Sequence, residues 1–228
     1  EQSVWLELDG RRVAETTATQ QPVVLRGRCH ERETVPYKAF DAIVDELTHR
    51  LMRLDAEDQT FVLPDGIQYL AEIFPVLRRL RMIADVRYHK PPLQDAKELR
   101  NYAFIALREL LSRFSRLRPL VFFIDDLQWA DRDSFALLNA LIQQPSAPAM
   151  LILATCRPVS PDAPESLAPL LSTLEAHPDV RVVQVGPLPA ESSAVLAAHL
   201  LDEGEVQDDA VRSRITDSIA RESGGNPF

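Results

Sequence analysis

The stretch Pro119-Leu-Val-Phe-Phe-Ile-Asp-Asp-Leu-Gln-Trp-Ala-Asp131 decides the fold, because an unbroken apolar run leads directly into two adjacent carboxylates. Residues 120–124 are aliphatic or aromatic without alternation, which is typical of a strand covered on both faces. Asp125 and Asp126 follow at the carboxyl end of this strand, the edge at which open parallel sheets hold their ligands. The stretch therefore predicts a buried parallel strand that ends in a polar site.

The adjacent carboxylates of Asp125 and Asp126 need a compensating positive charge, since like charges a few ångströms apart disfavour each other's ionised form. Mg²⁺ binds one or two protein carboxylates and keeps water and phosphate oxygens in its other positions. Asp125 would hold the ion while Asp126 orients a water molecule, which is the logic of a Walker B strand. The plainer alternative is a strand that enters a solvated turn, with Asp131 or Asp133 capping the next helix.

A second apolar stretch, residues 150–155, predicts the next buried strand, and Cys156-Arg157 follow it. A guanidinium at a strand end can bind phosphate oxygens bidentately. Arg157 is therefore a candidate phosphate-binding residue. The alternative is an ion pair between Arg157 and Asp125 or Asp126.

Ile124-Asp-Asp-Leu-Gln-Trp-Ala-Asp131, followed further along by Leu151-Ile-Leu-Ala-Thr-Cys-Arg157, resembles the AAA-type ATPase module of the STAND signalling NTPases. Such modules occur in bacterial LuxR-type regulators, adenylate cyclases and multidomain serine/threonine protein kinases. Two further stretches agree with the resemblance: Leu25-Arg-Gly-Arg-Cys-His-Glu-Arg-Glu-Thr-Val-Pro-Tyr-Lys-Ala39 and Glu222-Ser-Gly-Gly-Asn-Pro-Phe228. Together they extend the resemblance over roughly residues 20–228.

The resemblance implies an α/β fold, with a mostly parallel sheet of P-loop NTPase type flanked by helices and a small C-terminal helical subdomain. It implies ATP or ADP with Mg²⁺ as cofactors. Asp125 would ligate the ion through water, Asp126 would polarise the attacking water, and Arg157 would sense the γ-phosphate. Pro227, with Asn226 beside it, would contact the adenine and ribose, although a Gly-Gly pair after a helix is also an ordinary helix terminator.

The resemblance also implies a phosphate loop, Gly-x-x-x-x-Gly-Lys-Ser/Thr, just upstream of Val23, yet the sequence contains no Gly-Lys pair. Backbone N–H groups and the lysine of such a loop bind the β and γ phosphates. Either the chain is a fragment cut after the loop, which we expect, or it has lost nucleotide hydrolysis. The strand that leads to the loop is expected between the two motif-bearing strands. Its absence predicts a gap there, unless a hairpin at residues 4–13 fills it.

Turn residues and apolar periodicity predict the remaining organisation. Residues 1–21 form an irregular segment or a hairpin that turns at Asp9-Gly10, residues 22–187 an α/β core, and residues 188–228 the start of a helical subdomain. Strands are predicted near 22–29, 119–125, 149–156 and 181–186. Helices are predicted at 37–54, at 67–80 with a split at Pro75, at 93–117, 135–142 and 167–174, and from Pro189 onward.

Composition limits the function classes. A length of 228 residues fits one large domain, or a core with a smaller helical domain. A net charge of −9 argues against direct nucleic-acid binding. The two cysteines and five histidines show neither a disulfide framework nor metal-ligand spacing. No apolar run approaches the roughly 20 residues that cross a bilayer, and no signal peptide opens the chain, so we expect a cytoplasmic protein without membrane contact.

The leading hypothesis is an ATP/ADP-binding switch module of a larger bacterial signalling protein, a kinase or transcriptional regulator, with slow Mg-dependent ATP hydrolysis. Its partners would be nucleotide and other domains of the same polypeptide, with a homo-oligomer as a further possibility. The alternative is a non-hydrolysing scaffold that retains the NTPase fold. A protein kinase catalytic domain is excluded, because the sequence has no His-Arg-Asp and no Asp-Phe-Gly.

Overall fold

The computed structural model describes residues 7–8, 11–12, 21–32, 35–85, 95–143, 145, 147–157, 167–202 and 209–226. The chain divides into two compact units, Glu1–Asp179 and Val180–Phe228. The domain boundaries predicted after residues 21 and 187 stay predictions. Within the described ranges, no helix is both long and apolar enough to cross a membrane.

The first unit contains a three-stranded parallel sheet. Its strands are β3 (Val23–Arg28), β4 (Leu120–Asp125) and β5 (Met150–Ala154), in the order β3-β4-β5. Two short strands, β1 (Glu7–Leu8) and β2 (Arg11–Arg12), form a separate antiparallel pair. Arg28 pairs with Asp125 and Ile124 pairs with Ala154, so the three strands end together at one edge.

The helices of the first unit follow the apolar periodicity closely. They are α1 (Lys38–Leu51), α2 (Ala56–Val62), α3 (Ile67–Ile73), α4 (Arg81–Asp85), α5 (Ala96–Leu117), α6 (Arg132–Ile142) and α7 (Leu167–Glu175). Pro75 ends α3 and begins the 3₁₀ turn Pro75–Arg79, which confirms the predicted split, because proline cannot donate a helical hydrogen bond. The α/β fold with a parallel sheet flanked by helices is confirmed.

Helix α2 falls between the predicted helices 37–54 and 67–80, where no helix was predicted. Its seven residues are too few to show a helical period, but Asp55 caps it by accepting a hydrogen bond from the Asp58 N–H at 2.8 Å. Such an N-cap satisfies one of the otherwise unpaired amides of a helix start. The N-cap therefore stabilises a helix that apolar periodicity alone does not predict.

The core of the first unit is built from one face of the sheet and the apolar stripes of the helices. Along β4, buried side chains alternate with partly buried ones, so burial on both faces was only half right. The largest side chains that are almost completely buried include Leu25, Phe122, Phe40, Ile43, Leu47, Leu107, Leu110 and Phe114. Burying such side chains stabilises the fold by about 1.5–3 kcal/mol each.

Two predictions about β5 are wrong. The strand was expected to be buried, but Leu151 is 53% exposed and Leu153 is 48% exposed, because β5 lies at the edge of the described sheet. A gap was expected between the two motif-bearing strands, but β4 pairs directly with β5. In the described sheet β3 and β5 are the two edge strands, so an added strand would have to pair with one of them.

Gly27 allows β3 to approach α1 closely. A Cβ atom at this position would lie 2.5 Å from the Ala39 carbonyl oxygen and 3.2 Å from the Ile43 side chain. Any larger residue would push the strand and the helix apart. Gly27 therefore fixes the position of the strand end that carries Arg28.

The second unit contains α8 (Ala190–Asp202) and α9 (Asp209–Glu222). The turn after α9 has Gly224 at φ 57° and Gly225 at φ 84°, which confirms the glycine helix terminator. The Leu188 N–H donates to the Gly225 carbonyl at 2.8 Å. A Cβ at Gly225 would lie 2.5 Å from the Leu188 carbonyl oxygen, so this contact also requires glycine.

The strand predicted near residues 181–186 is absent from the described structure. Val182 is 54% exposed, Val183 76% and Val185 93%, so these side chains contact solvent rather than a neighbouring strand. β-branched residues favour a strand only where another strand and a packed face receive them. The strand was predicted wrongly because these valines have a high strand propensity but no described strand pairs with them.

Candidate active site

Three of the functional residues predicted from the sequence, Asp125, Asp126 and Arg157, lie at the carboxyl edge of the sheet. Asp125 ends β4 and Asp126 follows it. β5 ends one residue before Thr155, and Arg157 lies two residues further on. β3 ends at Arg28, beside Asp125 in the register. Parallel pairing thus brings residues from three distant parts of the chain to one place.

Thr155 fastens the acidic pair to the end of β5. Its hydroxyl donates to Asp125 Oδ1 at 2.6 Å and accepts a hydrogen bond from the Asp126 N–H at 2.9 Å. Its backbone N–H donates to the Ile124 carbonyl at 3.0 Å, and its carbonyl accepts from the Leu127 N–H at 2.8 Å. Four hydrogen bonds at one residue hold the start of the acidic loop in a fixed position.

Arg28 supplies the positive charge that the acidic pair needs. Its Nη2 lies 3.1 Å from Asp126 Oδ2, and its Nε lies 3.3 Å from the same oxygen and 3.6 Å from Asp125 Oδ2. The Arg28 side chain is 62% exposed, so water and salt weaken this ion pair. An arginine from a neighbouring strand therefore supplies part of the positive charge that we expected Mg²⁺ to supply.

Asp126 adopts a left-handed backbone conformation, with φ 58° and ψ 45°. Aspartate tolerates this region better than most residues, but the conformation persists only where the surroundings enforce it. Gln128 Nε2 donates to Asp126 Oδ1 at 2.9 Å. This hydrogen bond, and after it the hydrogen bond and charge of Arg28 and the charge of Arg157, lower the pKa of Asp126, while partial burial opposes them.

Arg157 is connected to the acidic pair by its backbone. Its N–H donates to Gln128 Oε1 at 3.1 Å. Among the residues that the structure describes, the Arg157 guanidinium has no carboxylate within 4.0 Å, so the alternative, an ion pair with Asp125 or Asp126, is not formed in this structure. Arg28 takes that place, because strand register brings it closer. The guanidinium of Arg157 is exposed and can meet a ligand, and γ-phosphate sensing stays a prediction.

Asp131 joins the starts of two helices. As N-cap of α6 it accepts hydrogen bonds from the Ser134 N–H at 2.9 Å and the Ser134 hydroxyl at 2.6 Å. It also accepts from the Tyr37 and Lys38 N–H groups of α1, each at 3.1 Å. Ser134 Oγ accepts from the Ala39 N–H at 3.2 Å. The capping role predicted for Asp131 is confirmed, and it extends to a second helix.

The environment of Asp131 stabilises its ionised form. Burial on its own raises the pKa of Asp131, but the hydrogen bonds from Ser134, Tyr37 and Lys38 outweigh it, and the net pKa is lowered. Since α1 follows β3 and α6 follows β4, this carboxylate also holds together the loops that begin with Arg28 and Asp126. Asp131 is a structural anion at the border of the site.

The acidic pair can bind Mg²⁺ only if other groups supply the remaining ligands. Within the described ranges, no group of three His, Cys, Asp or Glu residues could hold a metal. Two carboxylates with water and phosphate oxygens complete the coordination that Mg²⁺ prefers. The Asp125 side chain is 35% exposed, so an ion can reach it. The donor set therefore fits an ion that arrives with a phosphate ligand.

The two remaining predicted residues, Asn226 and Pro227, are not part of the first unit. Asn226 belongs to the second unit, where its N–H donates to the Ser223 carbonyl at 2.9 Å. Pro227 lies outside the described residues. A cavity of about 370 Å³ in the first unit is lined by Tyr37, Lys97, Arg100 and neighbours, and it does not include the acidic pair.

Sequence reasoning missed three residues of this site: Arg28, Thr155 and Gln128. Arg28 carried a usable signal, since it ends a predicted parallel strand and therefore faces the same edge as the carboxylates. Thr155 is a polar residue directly after an apolar strand, which is a weaker signal of the same kind. Gln128 carried none, because its two contacts depend on the left-handed backbone of Asp126.

The family model for the AAA ATPase domain matches residues 11–153. The matched range contains β3, β4 and the acidic pair, whereas Thr155, Arg157 and Asn226 lie beyond it. Comparisons with curated proteins and with solved structures gave no significant match.

Proposed function

Because the chain belongs to the AAA ATPase domain family, we propose that it is an ATP- or ADP-binding switch module whose nucleotide phosphates bind at the carboxyl edge of β4. One observation carries the proposal. Asp125 and Asp126 end a central parallel strand, partly exposed and hydrogen-bonded from three sides, as a phosphate-associated cation site requires.

Each residue of the edge has a distinct role in this proposal. Asp125, oriented by the Thr155 hydroxyl, holds Mg²⁺ through water. Asp126 polarises the attacking water, and the Arg157 guanidinium binds the γ-phosphate. When bound, Mg²⁺ supplies positive charge to the phosphate oxygens. The assignment of Asn226 and Pro227 to the adenine and ribose stays an expectation from the resemblance.

Slow hydrolysis agrees with the contacts of Asp126. One of its carboxylate oxygens accepts from Arg28 and the other from Gln128. A carboxylate that is occupied on both oxygens has reduced capacity to accept a proton from water. Loss of either contact would make Asp126 a stronger base, and the proposal is that the ATP- and ADP-bound states differ in one of these contacts.

The extent of nucleotide binding and hydrolysis depends on a phosphate loop. The 228 residues contain no Gly-Lys pair, so they do not supply that loop. The outer edge of β5 has no partner strand in the described part of the chain, and Leu151 and Leu153 there are half exposed. A strand that carries a phosphate loop within a larger signalling protein, a kinase or transcriptional regulator, would pair at this edge. Without such a strand, the alternative is a non-hydrolysing scaffold that retains the fold.

Asp126→Asn tests the catalytic role in a protein that carries this module together with a phosphate loop. Asparagine also tolerates the left-handed backbone, so the fold should persist. ATP turnover should fall by about a hundredfold or more, the usual effect of removing a general base, while nucleotide affinity stays within about twofold. Asp133→Asn, outside the acidic pair, is the matched control. An unchanged turnover in Asp126→Asn would contradict this role.

A further inference from the structure

One side chain joins the backbone of Arg157 to the carboxylate of Asp126. Gln128 Oε1 accepts the Arg157 N–H at 3.1 Å, and Gln128 Nε2 donates to Asp126 Oδ1 at 2.9 Å. The residue is only 9% exposed. Because one end of the amide must accept and the other must donate, its orientation is fixed by its two neighbours.

We propose that Gln128 is a positioning residue that transmits a displacement of the Arg157 backbone to the carboxylate of Asp126. The inference rests on the proposed function, in which Arg157 meets the γ-phosphate and Asp126 polarises water. It adds the physical connection between the two events. Binding of a third phosphate at Arg157 would reach Asp126 through one amide group.

Thr155 does not provide the same connection. Its four hydrogen bonds hold Asp125, the Asp126 amide and the start of the loop against β5. Arg157 lies two residues beyond this fixed point. In the described part of the chain, Gln128 is the side chain that hydrogen-bonds both to the Arg157 backbone and to the Asp126 side chain. A movement of Arg157 therefore reaches Asp126 without moving the fixed end of β5.

The second oxygen of Asp126 explains why such a movement changes the chemistry. Arg28 holds Oδ2 at 3.1 Å while Gln128 holds Oδ1. When Gln128 follows Arg157, Oδ1 loses its amide donor, and a water molecule can take that donor's place beside the carboxylate. Arg28 still holds the opposite oxygen, so the carboxylate stays in place. Water activation then follows occupancy at Arg157.

Two substitutions separate the ends of the amide. Gln128→Glu keeps an acceptor for the Arg157 N–H but replaces the donor to Asp126 by a negatively charged oxygen. Gln128→Met keeps the length of the side chain and removes both hydrogen bonds. A residue that only fills space would tolerate methionine, since the two side chains are similar in size.

The first experiment needs no nucleotide. It measures the hydrogen-exchange rate of the Arg157 amide by NMR in the native chain, Asp126→Gly, Gln128→Met and the double variant. Glycine suits the left-handed backbone and removes the carboxylate. Asp126→Gly should speed Arg157 exchange about two- to tenfold, the worth of one hydrogen bond, and should add nothing in the Gln128→Met background. Equal acceleration in both backgrounds, or none in the native one, would overturn the inference.

Gln128→Glu keeps this test decisive if Gln128→Met does not fold. Arg157 exchange should then stay within about twofold of native, because the acceptor remains, while the acceleration by Asp126→Gly disappears. A retained acceleration would overturn the inference.

The second experiment adds Mg²⁺ with ADP or with a non-hydrolysable ATP analogue and follows the Asp126 amide shift. The native chain should give different shifts for the two nucleotides, and Gln128→Met should lose most of that difference at an affinity within about twofold of native. A difference that survives in Gln128→Met would overturn the inference. If the native chain binds neither nucleotide, the result counts against nucleotide binding by these 228 residues, and the exchange experiment still decides whether Gln128 couples the two residues.

Discussion

Arg28 and Asp126 are 98 residues apart in the chain, yet the Arg28 Nη2 lies 3.1 Å from Asp126 Oδ2. Parallel pairing of β3 with β4 brings them together, because Arg28 stands beside Asp125 in the register. The contact places a cation where the sequence alone leaves two adjacent negative charges. A divalent ion that approaches the acidic pair therefore competes with Arg28.

Arg28→Gln should strengthen binding of a divalent cation to the acidic pair. With the competing guanidinium removed, affinity for Mn²⁺, a paramagnetic substitute for Mg²⁺, should rise about two- to fivefold, a modest change because Arg28 is largely exposed. Electron paramagnetic resonance measures the free ion directly. Arg26→Gln changes an exposed arginine of the same strand and is the control. Weaker Mn²⁺ binding in Arg28→Gln would show that Arg28 orients the carboxylates instead of competing for them.

Asp131→Ala should destabilise the first unit more than the loss of an ordinary cap. It removes one carboxylate from the starts of both α1 and α6, so a cost of at least about 2 kcal/mol is expected. Asp55→Ala removes a cap that serves α2 alone and should cost about 1 kcal/mol. Urea denaturation measures both. Equal costs would show that the hydrogen bonds from α1 contribute nothing measurable.

The stabilising charge of Asp131 should depend on pH. Its folded-state pKa is lowered below the unfolded value of about 3.9, so its contribution is present above that pH and is lost as pH falls through the folded-state pKa. The free energy of unfolding should differ between the native chain and Asp131→Asn by a constant amount from pH 7 to about pH 5, and by less below about pH 4. A difference that stays constant at lower pH, while both proteins remain folded, would contradict this prediction.

Gly27→Ala should separate β3 from α1. Since the added Cβ meets the Ala39 carbonyl oxygen, a cost of about 1–3 kcal/mol is expected. The same substitution at Gly186 has no heavy atom within 4 Å of the added Cβ and should change stability by less than about 0.5 kcal/mol. Thermal unfolding compares the two. Comparable small changes would mean that β3 and α1 adjust without strain.

Much of this fold could be predicted from local patterns. The apolar run before Asp125 predicts a central strand, and the stripe of α5 predicts a long amphipathic helix, because burial imposes a period on each. Pro75 splits its helix for a reason contained in one residue. The strand predicted around Val183 does not form, because a strand requires a partner strand.

The candidate site was predictable only in part. Asp125 and Asp126 are recognisable because a polar pair after an apolar run is a local signal. The contact between Arg28 and Asp126 depends on strand register, which couples distant parts of the chain. The two hydrogen bonds of Gln128 depend on the left-handed backbone conformation of Asp126, which an aspartate tolerates but does not require.

The most direct measurement of the central claim is a titration with a fluorescent ADP analogue and Mg²⁺, on the native chain and on Asp125→Ala. The account predicts saturable, Mg-dependent binding that Asp125→Ala weakens by about tenfold or more, the loss of roughly 1.4 kcal/mol. Asp133→Ala should bind like the native chain. Saturable binding that is indifferent both to Mg²⁺ and to Asp125→Ala would contradict the claim that this acidic pair serves a nucleotide.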